Sequence, residues 1–249
     1  MKLAALFITC ILACTSLAQD TFESLLKRGD ALDAAMKTKD ALEVYLKAEK
    51  LQPKNADLLH RIAKQYGETM NDVSSEADKK SYAQKCLDTA KRAVEADPAN
   101  PLAQVALAVA YGRIAPFLDN KTKISYSKLV KEHAEKAIAA DPNCELAYHV
   151  LGAWNYELAG FGAIMRTLTK LIYGELPAAS YAEAERNFKK AIALNSKRVA
   201  NFVELGRTYM ELGDKKKAKE HLEKGIALPS IYRDDDPTKD RARAALKGL

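Results

Sequence analysis

Five times along the chain a small residue is followed, five positions later, by a proline or a serine. The pairs are Ala48 and Pro53, Ala93 and Pro98, Ala137 and Pro142, Ala191 and Ser196, and Gly225 and Ser230. The pairs recur at spacings of 45, 44, 54 and 34 residues. Self-similarity on that scale is the mark of helical hairpins stacked one on the next, each too small to bury its apolar face alone. A small residue lets two helices approach closely, and a proline cannot continue a helix because it lacks the N–H. One unit therefore stops and the next begins.

The shortest spacing equals the 34-residue period of the tetratricopeptide repeat, and the other three exceed it by 11, 10 and 20 residues. The residues agree with the period. In the last unit Phe202, Leu205, Gly206 and Tyr209 occupy first-helix places, and Ala218 and Leu222 those of the second helix. The first unit offers Leu25, Gly29 and Leu32, then Ala41, Tyr45 and Ala48. The chain thus resembles tetratricopeptide proteins. The fold it predicts is all-α, a right-handed tetratricopeptide-like α-solenoid with units at about 22–55, 56–100, 101–143, 144–197 and 198–231. A capping helix over 237–247 covers the exposed end, as solenoids require.

The surplus residues fall between the two helices of the second, third and fourth units. Asn71 to Lys80 and Pro116 to Ser127 are polar and read as longer turns or helix extensions. The fourth insertion differs. Phe161, Ile164, Met165, Leu168, Leu171 and Ile172 fall on one helical stripe, with Arg166, Thr167 and Lys170 opposite. Such a stripe packs against the solenoid, or it lies on a membrane or covers a lipid or peptide.

The first residues read as an export signal. Lys2 is followed by an apolar run from Leu3 to Leu17, and Ser16, Leu17 and Ala18 fit a small-x-small cleavage site. Asp20 arrives too soon for a membrane span. Cleavage after Ala18 leaves 231 of the 249 residues and lowers the formal charge from +6 to +5. The expected location is periplasmic or secreted. A lipoprotein anchored through Cys14 is the rival, since Ile11 to Cys14 loosely resembles a lipobox. The mild positive charge forms no basic block, which argues against a nucleic-acid partner. Cys86 and Cys144 remain, both in helical stretches where a small buried thiol fits, although an oxidising compartment would permit their pairing.

No catalytic constellation is visible. His60, His133, His149 and His221 form no zinc motif, and neither cysteine has ligand spacing with them, so no metal and no cofactor is implied. Gly160-Phe161-Gly162 is a fragment of a dinucleotide fingerprint with no strand before it. Asp234-Asp235-Asp236 suits the dipole at the start of the terminal helix, and Lys215 to Lys217 a solvated face. Solenoids work through their concave surface. Repeat alignment projects His60, Lys64, Arg113, His149, Tyr156 and Arg207 toward it, a set whose cations suit a carboxylate or phosphate. Trp154, the single tryptophan, reads as inter-helix packing.

One branch of tetratricopeptide proteins is matched more closely. The AYHVLGAWNYELA helix, the KLIYGELPAASYAEA connection, the FKKAIALN helix and the closing ELGRTYMELGDKKKAKEHLEKGIALP resemble the regulator of microtubule dynamics family. The likeness is strongest from Cys144 onward and extends more weakly back to about residue 22. It implies a non-enzymatic helical-repeat protein. In animals the family is associated with microtubules and spindle poles, and one branch is a mitochondrial tether that binds phospholipid. The expected function is an exported scaffold or adaptor holding a protein or peptide in its groove. The alternative is a phospholipid-binding or lipid-transfer protein using the solenoid interior and the 161–172 stripe.

Overall fold

A computed structural model describes residues 21–162 and 177–249. The expected export signal with Cys14 lies outside the described residues, as do Ile164, Met165, Leu168, Leu171 and Ile172 of the amphipathic stripe. Among the described residues there are eleven α-helices and no strand. They form antiparallel pairs: α1 (Phe22–Ala34) with α2 (Thr38–Leu51), α3 (Ala56–Thr69) with α4 (Glu76–Ala96), and α5 (Pro101–Ile114) with α6 (Asn120–Ala140). Next come α7 (Glu145–Ala159) with α8 (Tyr181–Leu194), then α9 (Val199–Glu211) with α10 (Lys215–Ala227). The last helix, α11 (Asp235–Leu246), packs on both α9 and α10. Each second helix also packs on the first helix of the following unit, which makes the stack continuous.

The repeat residues do what close packing demands. Ala48, Ala93, Ala137 and Ala191 have no exposed surface, and each carbonyl accepts the N–H of the residue that ends its helix. Pro53, Pro98 and Pro142 stand two residues past those helices. Helix starts are capped by Asn55, Ser75, Asn100, Asp119, Ser180 and Asp214, whose side chains accept backbone N–H groups of the first turn. Within a pair, Gly152 lies under the Phe188 ring and Gly206 under Leu222. A Cβ there would come within 2.8 Å and 2.7 Å of those side chains.

The two polar insertions are mostly helix. Both α4 and α6 run 21 residues, each entered from a 3-10 turn, Met70–Asp72 or Ala115–Phe117. The terminal helix begins at Asp235, two residues before Pro237, because Asp235 turns inward. It is fully buried, and one carboxylate oxygen accepts the N–H groups of Ile231 and Tyr232 at 2.8 Å. The acidic run therefore organises the loop before the helix as well as its first turn. Cys86 and Cys144 are both free and buried. Trp154 packs between helices and donates its indole N–H to the Ser127 carbonyl at 2.8 Å. Among the described residues no helix is long and apolar enough to cross a membrane.

Candidate functional site

The five first helices present equivalent positions to the concave side, and the small packing residues set the register. Gly29, Ala63, Ala108, Gly152 and Gly206 each precede their unit's Ala48, Ala93, Ala137, Ala191 or Gly225 by 19 residues once the insertions are discounted. The residue four places after one marker meets the residue one place after the next. Asp33 of α1 thus accepts from Lys64 of α3 at 2.6 Å. Tyr156 of α7 carries the Arg207 guanidinium of α9 over its ring at 4.8 Å. Through these contacts successive first helices line one surface.

Its N-terminal end is charged. Arg61 bonds Asp30 at 2.9 Å, and the Tyr45 hydroxyl donates to the same carboxylate at 2.6 Å. Lys64 spans Asp33 and Glu68. His60 is a different case: its Nδ1 is buried with no hydrogen-bond partner. Burial, then the neighbouring Arg61 charge, pushes its pKa down to about 4, so the ring is neutral.

The C-terminal end is charged too. Glu204, nearly buried, is held by Arg207 at 2.7 Å and by Arg241 of α11 at 3.3 Å. The terminal helix thus contributes a cation to this surface besides covering the last repeat. His149 shares Asn201 with Glu145: Asn201 donates to Glu145 at 2.6 Å, so its oxygen faces His149 Nδ1 at 2.7 Å. That arrangement assigns the proton to Nδ1 in a neutral ring. Burial and then Arg198 push the His149 pKa down to about 4. Arg198 itself lies over the Tyr232 ring at 4.8 Å.

Between these ends the same positions turn apolar. On α5 they are Leu102, Ala106, Val109 and Gly112, and on α7 they are Leu146, Val150 and Ala153. All keep some exposed surface, Leu102 38% of it, and a Cβ built on Gly112 would meet nothing within 4 Å. The result is an apolar waist between two charged rims. Repeat alignment, applied to polar side chains alone, passes over it. The signal was present in α5, PLAQVALAVAYGRI, which is apolar on every face although one face is not covered.

The structure divides the expected site residues. Lys64 belongs to the N-terminal rim and Tyr156 and Arg207 to the C-terminal one, whereas His149 packs behind that rim against Asn201 and Phe188. His60 is mostly withdrawn into α3 packing. Arg113 lies against Gly67 and donates to that carbonyl at 2.6 Å. Phe161 is 44% exposed. Among the described residues no group of three or more His, Cys, Asp or Glu could hold a metal ion.

A solenoid of helical pairs with a polar-apolar-polar concave face defines a tetratricopeptide-type repeat protein. A thermophilic tetratricopeptide protein of Thermus thermophilus superposes with a TM-score of 0.69 over 91% of this chain and 100% of that one, at 17% identity, a likeness of fold. The family described as regulator of microtubule dynamics protein 1-3 matches residues 25–249, and the chain belongs to it. Mouse regulator of microtubule dynamics protein 1 is 28% identical over 91% of this chain and 74% of its own length. Regulator of microtubule dynamics protein 3 of Xenopus laevis is 27% identical over 89% of this chain but 49% of its own.

Proposed function

We propose that this protein is a non-catalytic scaffold whose concave face holds an extended segment of a protein partner. The apolar waist of α5 and α7 carries this reading. Half-covered Leu102, Val109 and Val150 gain most by burying apolar partner side chains, while the rims offer paired charges for polar flanks. Membership of a family named for regulating microtubules is consistent with a partner-binding role. In the test, immobilised protein captures partners from an extract of its own host. Capture should fall at least tenfold with Leu102→Glu and persist with Lys91→Ala on the outer helix α4. Equal capture by both variants would move the site off the concave face.

The waist favours a second reading, a phospholipid whose acyl chain lies on α5 and α7 with its phosphate near Arg207 and Arg241. Mass spectrometry of gently purified protein separates the two. Absence of co-purifying lipid, together with no binding to vesicles containing phosphatidic acid, retires the lipid.

Export completes the proposal: residues 1–18 direct the chain across a membrane, and cleavage leaves Gln19 first. N-terminal sequencing of protein recovered outside the cytoplasm tests it. In that compartment the protein does not meet cytosolic microtubules, so the role in its relatives' names would not transfer.

A further inference from the structure

The two ends of the solenoid touch. Arg233, in the loop before α11, donates to the Thr38 hydroxyl at 2.7 Å and forms an ion pair with Asp72, residues 195 and 161 positions away in sequence. Thr38 opens α2 of the first unit, and its hydroxyl donates a hydrogen bond to Glu68 at the end of α3 at 3.3 Å. Asp72 closes the 3-10 turn that follows α3. One arginine of the C-terminal loop therefore meets the hairpin ends of the first two units.

The loop is built to present that arginine. Buried Asp235 holds the Ile231 and Tyr232 N–H groups, the Tyr232 ring lies under Arg198, and Lys239 bonds Ser230 at 2.9 Å. Arg233 is thus fixed from both sides by contacts within its own end of the chain. On the other side of the seam Met36 to Asp40 line a shallow pocket of about 340 Å³ together with Asp72 and Arg233. The closing contacts are polar and only partly covered, with 29% of the Arg233 side chain and 25% of the Asp72 side chain exposed. An ion pair of that kind holds weakly and opens readily. The remaining joints of the stack bury apolar clusters instead.

We propose that Arg233 is a latch that joins the ends of the solenoid into a ring and limits what reaches its concave face. The latch stands on contacts outside the apolar waist, so its failure would leave the scaffold reading intact. Gly112 supplies a probe, since it lies on the waist and a side chain there points into open space. In full-length Gly112→Cys protein, modification by a small maleimide and by a bulky polyethylene-glycol maleimide of roughly 5 kDa is timed by mass spectrometry of the peptide carrying residue 112. The readout on the residue-112 peptide excludes Cys10 and Cys14, and Cys86 and Cys144 interfere little, being buried with thiols pushed up by burial, that of Cys86 to about 11. The small reagent should react fast and the large one slowly. Arg233→Ala or Asp72→Arg should raise the large-reagent rate several-fold and leave the small-reagent rate unchanged, and the swap Arg233→Asp with Asp72→Arg should slow it again. A large-reagent rate that matches the small one in the parent, or is unmoved by every variant, overturns the latch.

Discussion

The Tyr156 ring of α7 carries the Arg207 guanidinium of α9 in the register by which Asp33 of α1 meets Lys64 of α3. One repeat position is thus used for two kinds of contact, a cation over a ring and a cation on a carboxylate. They should differ under salt. A double-mutant cycle on Tyr156→Leu and Arg207→Met should show a coupling of about 0.5–1 kcal/mol that changes little up to 0.5 M NaCl (roughly three times physiological ionic strength). The cycle on Asp33→Asn and Lys64→Met should give about 0.5 kcal/mol at low salt and nearly nothing at high salt. Urea unfolding of the single and double variants measures both, and equal salt dependence would contradict the assignment.

Two glycines of neighbouring first helices should respond to alanine with opposite sign. At Gly152 the new Cβ would press into the Phe188 ring, which is fully buried and cannot swing away. Gly152→Ala should therefore cost about 1–3 kcal/mol, the usual range for an overfilled core. At Gly112 nothing lies within 4 Å, so only helix propensity acts. Gly112→Ala should stabilise by about 0.5–1 kcal/mol. Thermal unfolding of the two variants side by side decides the matter.

The repeats, and with them the pairing of helices, could be read from the chain because close packing leaves its mark at fixed intervals. Ala48, Ala93, Ala137 and Ala191 are small for one reason, and the prolines that follow them stop helices for another. The concave face was only half legible. Register alone puts Lys64, Tyr156 and Arg207 in their observed places, whereas α5 turns Arg113 onto the bare backbone of Gly67 and His149 packs against Asn201 and Phe188. The waist escaped notice because half-covered valines and alanines look like core in a sequence. The Arg233 contact was out of reach altogether. It joins residues 195 and 161 positions apart through the whole stack, and no local pattern encodes that meeting.

Acid should weaken the fold through two histidines. His60 and His149 are held near pKa 4 in the folded chain, chiefly by burial, and titrate near 6.5 when unfolded. Between those values the unfolded state binds more protons, so stability falls as pH drops through the window and is fully present above it. The combined loss by pH 4.5 should be on the order of 1–3 kcal/mol, below the full linkage value because the structure around a charged ring relaxes and admits water. His60→Leu removes one contributor without orphaning a partner, since Nδ1 has none. Urea titrations at pH 7.5 and 5.0 should show the variant losing less stability than the parent over that step, the remaining loss coming from His149 and from His133, whose pKa burial also lowers. An unchanged loss would place the acid sensitivity elsewhere.

The waist and the rims should contribute to partner binding in ways that salt separates. Burying apolar surface depends little on ionic strength, whereas contacts to exposed cations are screened within about 8 Å at physiological salt. Leu102 is exposed enough that a polar replacement leaves the helix pair intact, yet it stands in the floor that a bound segment would cover. Leu102→Glu should therefore weaken capture of the partner by tenfold or more at every salt concentration, with an unchanged melting temperature. Arg207→Ala frees Glu204 to pair with Arg241 alone and should weaken capture by a smaller factor, one that shrinks as salt rises. If the order were reversed, with Arg207 dominant and Leu102 silent, the partner would be held by charge at the C-terminal rim. The apolar floor would then be a by-product of packing α5 between α3 and α7.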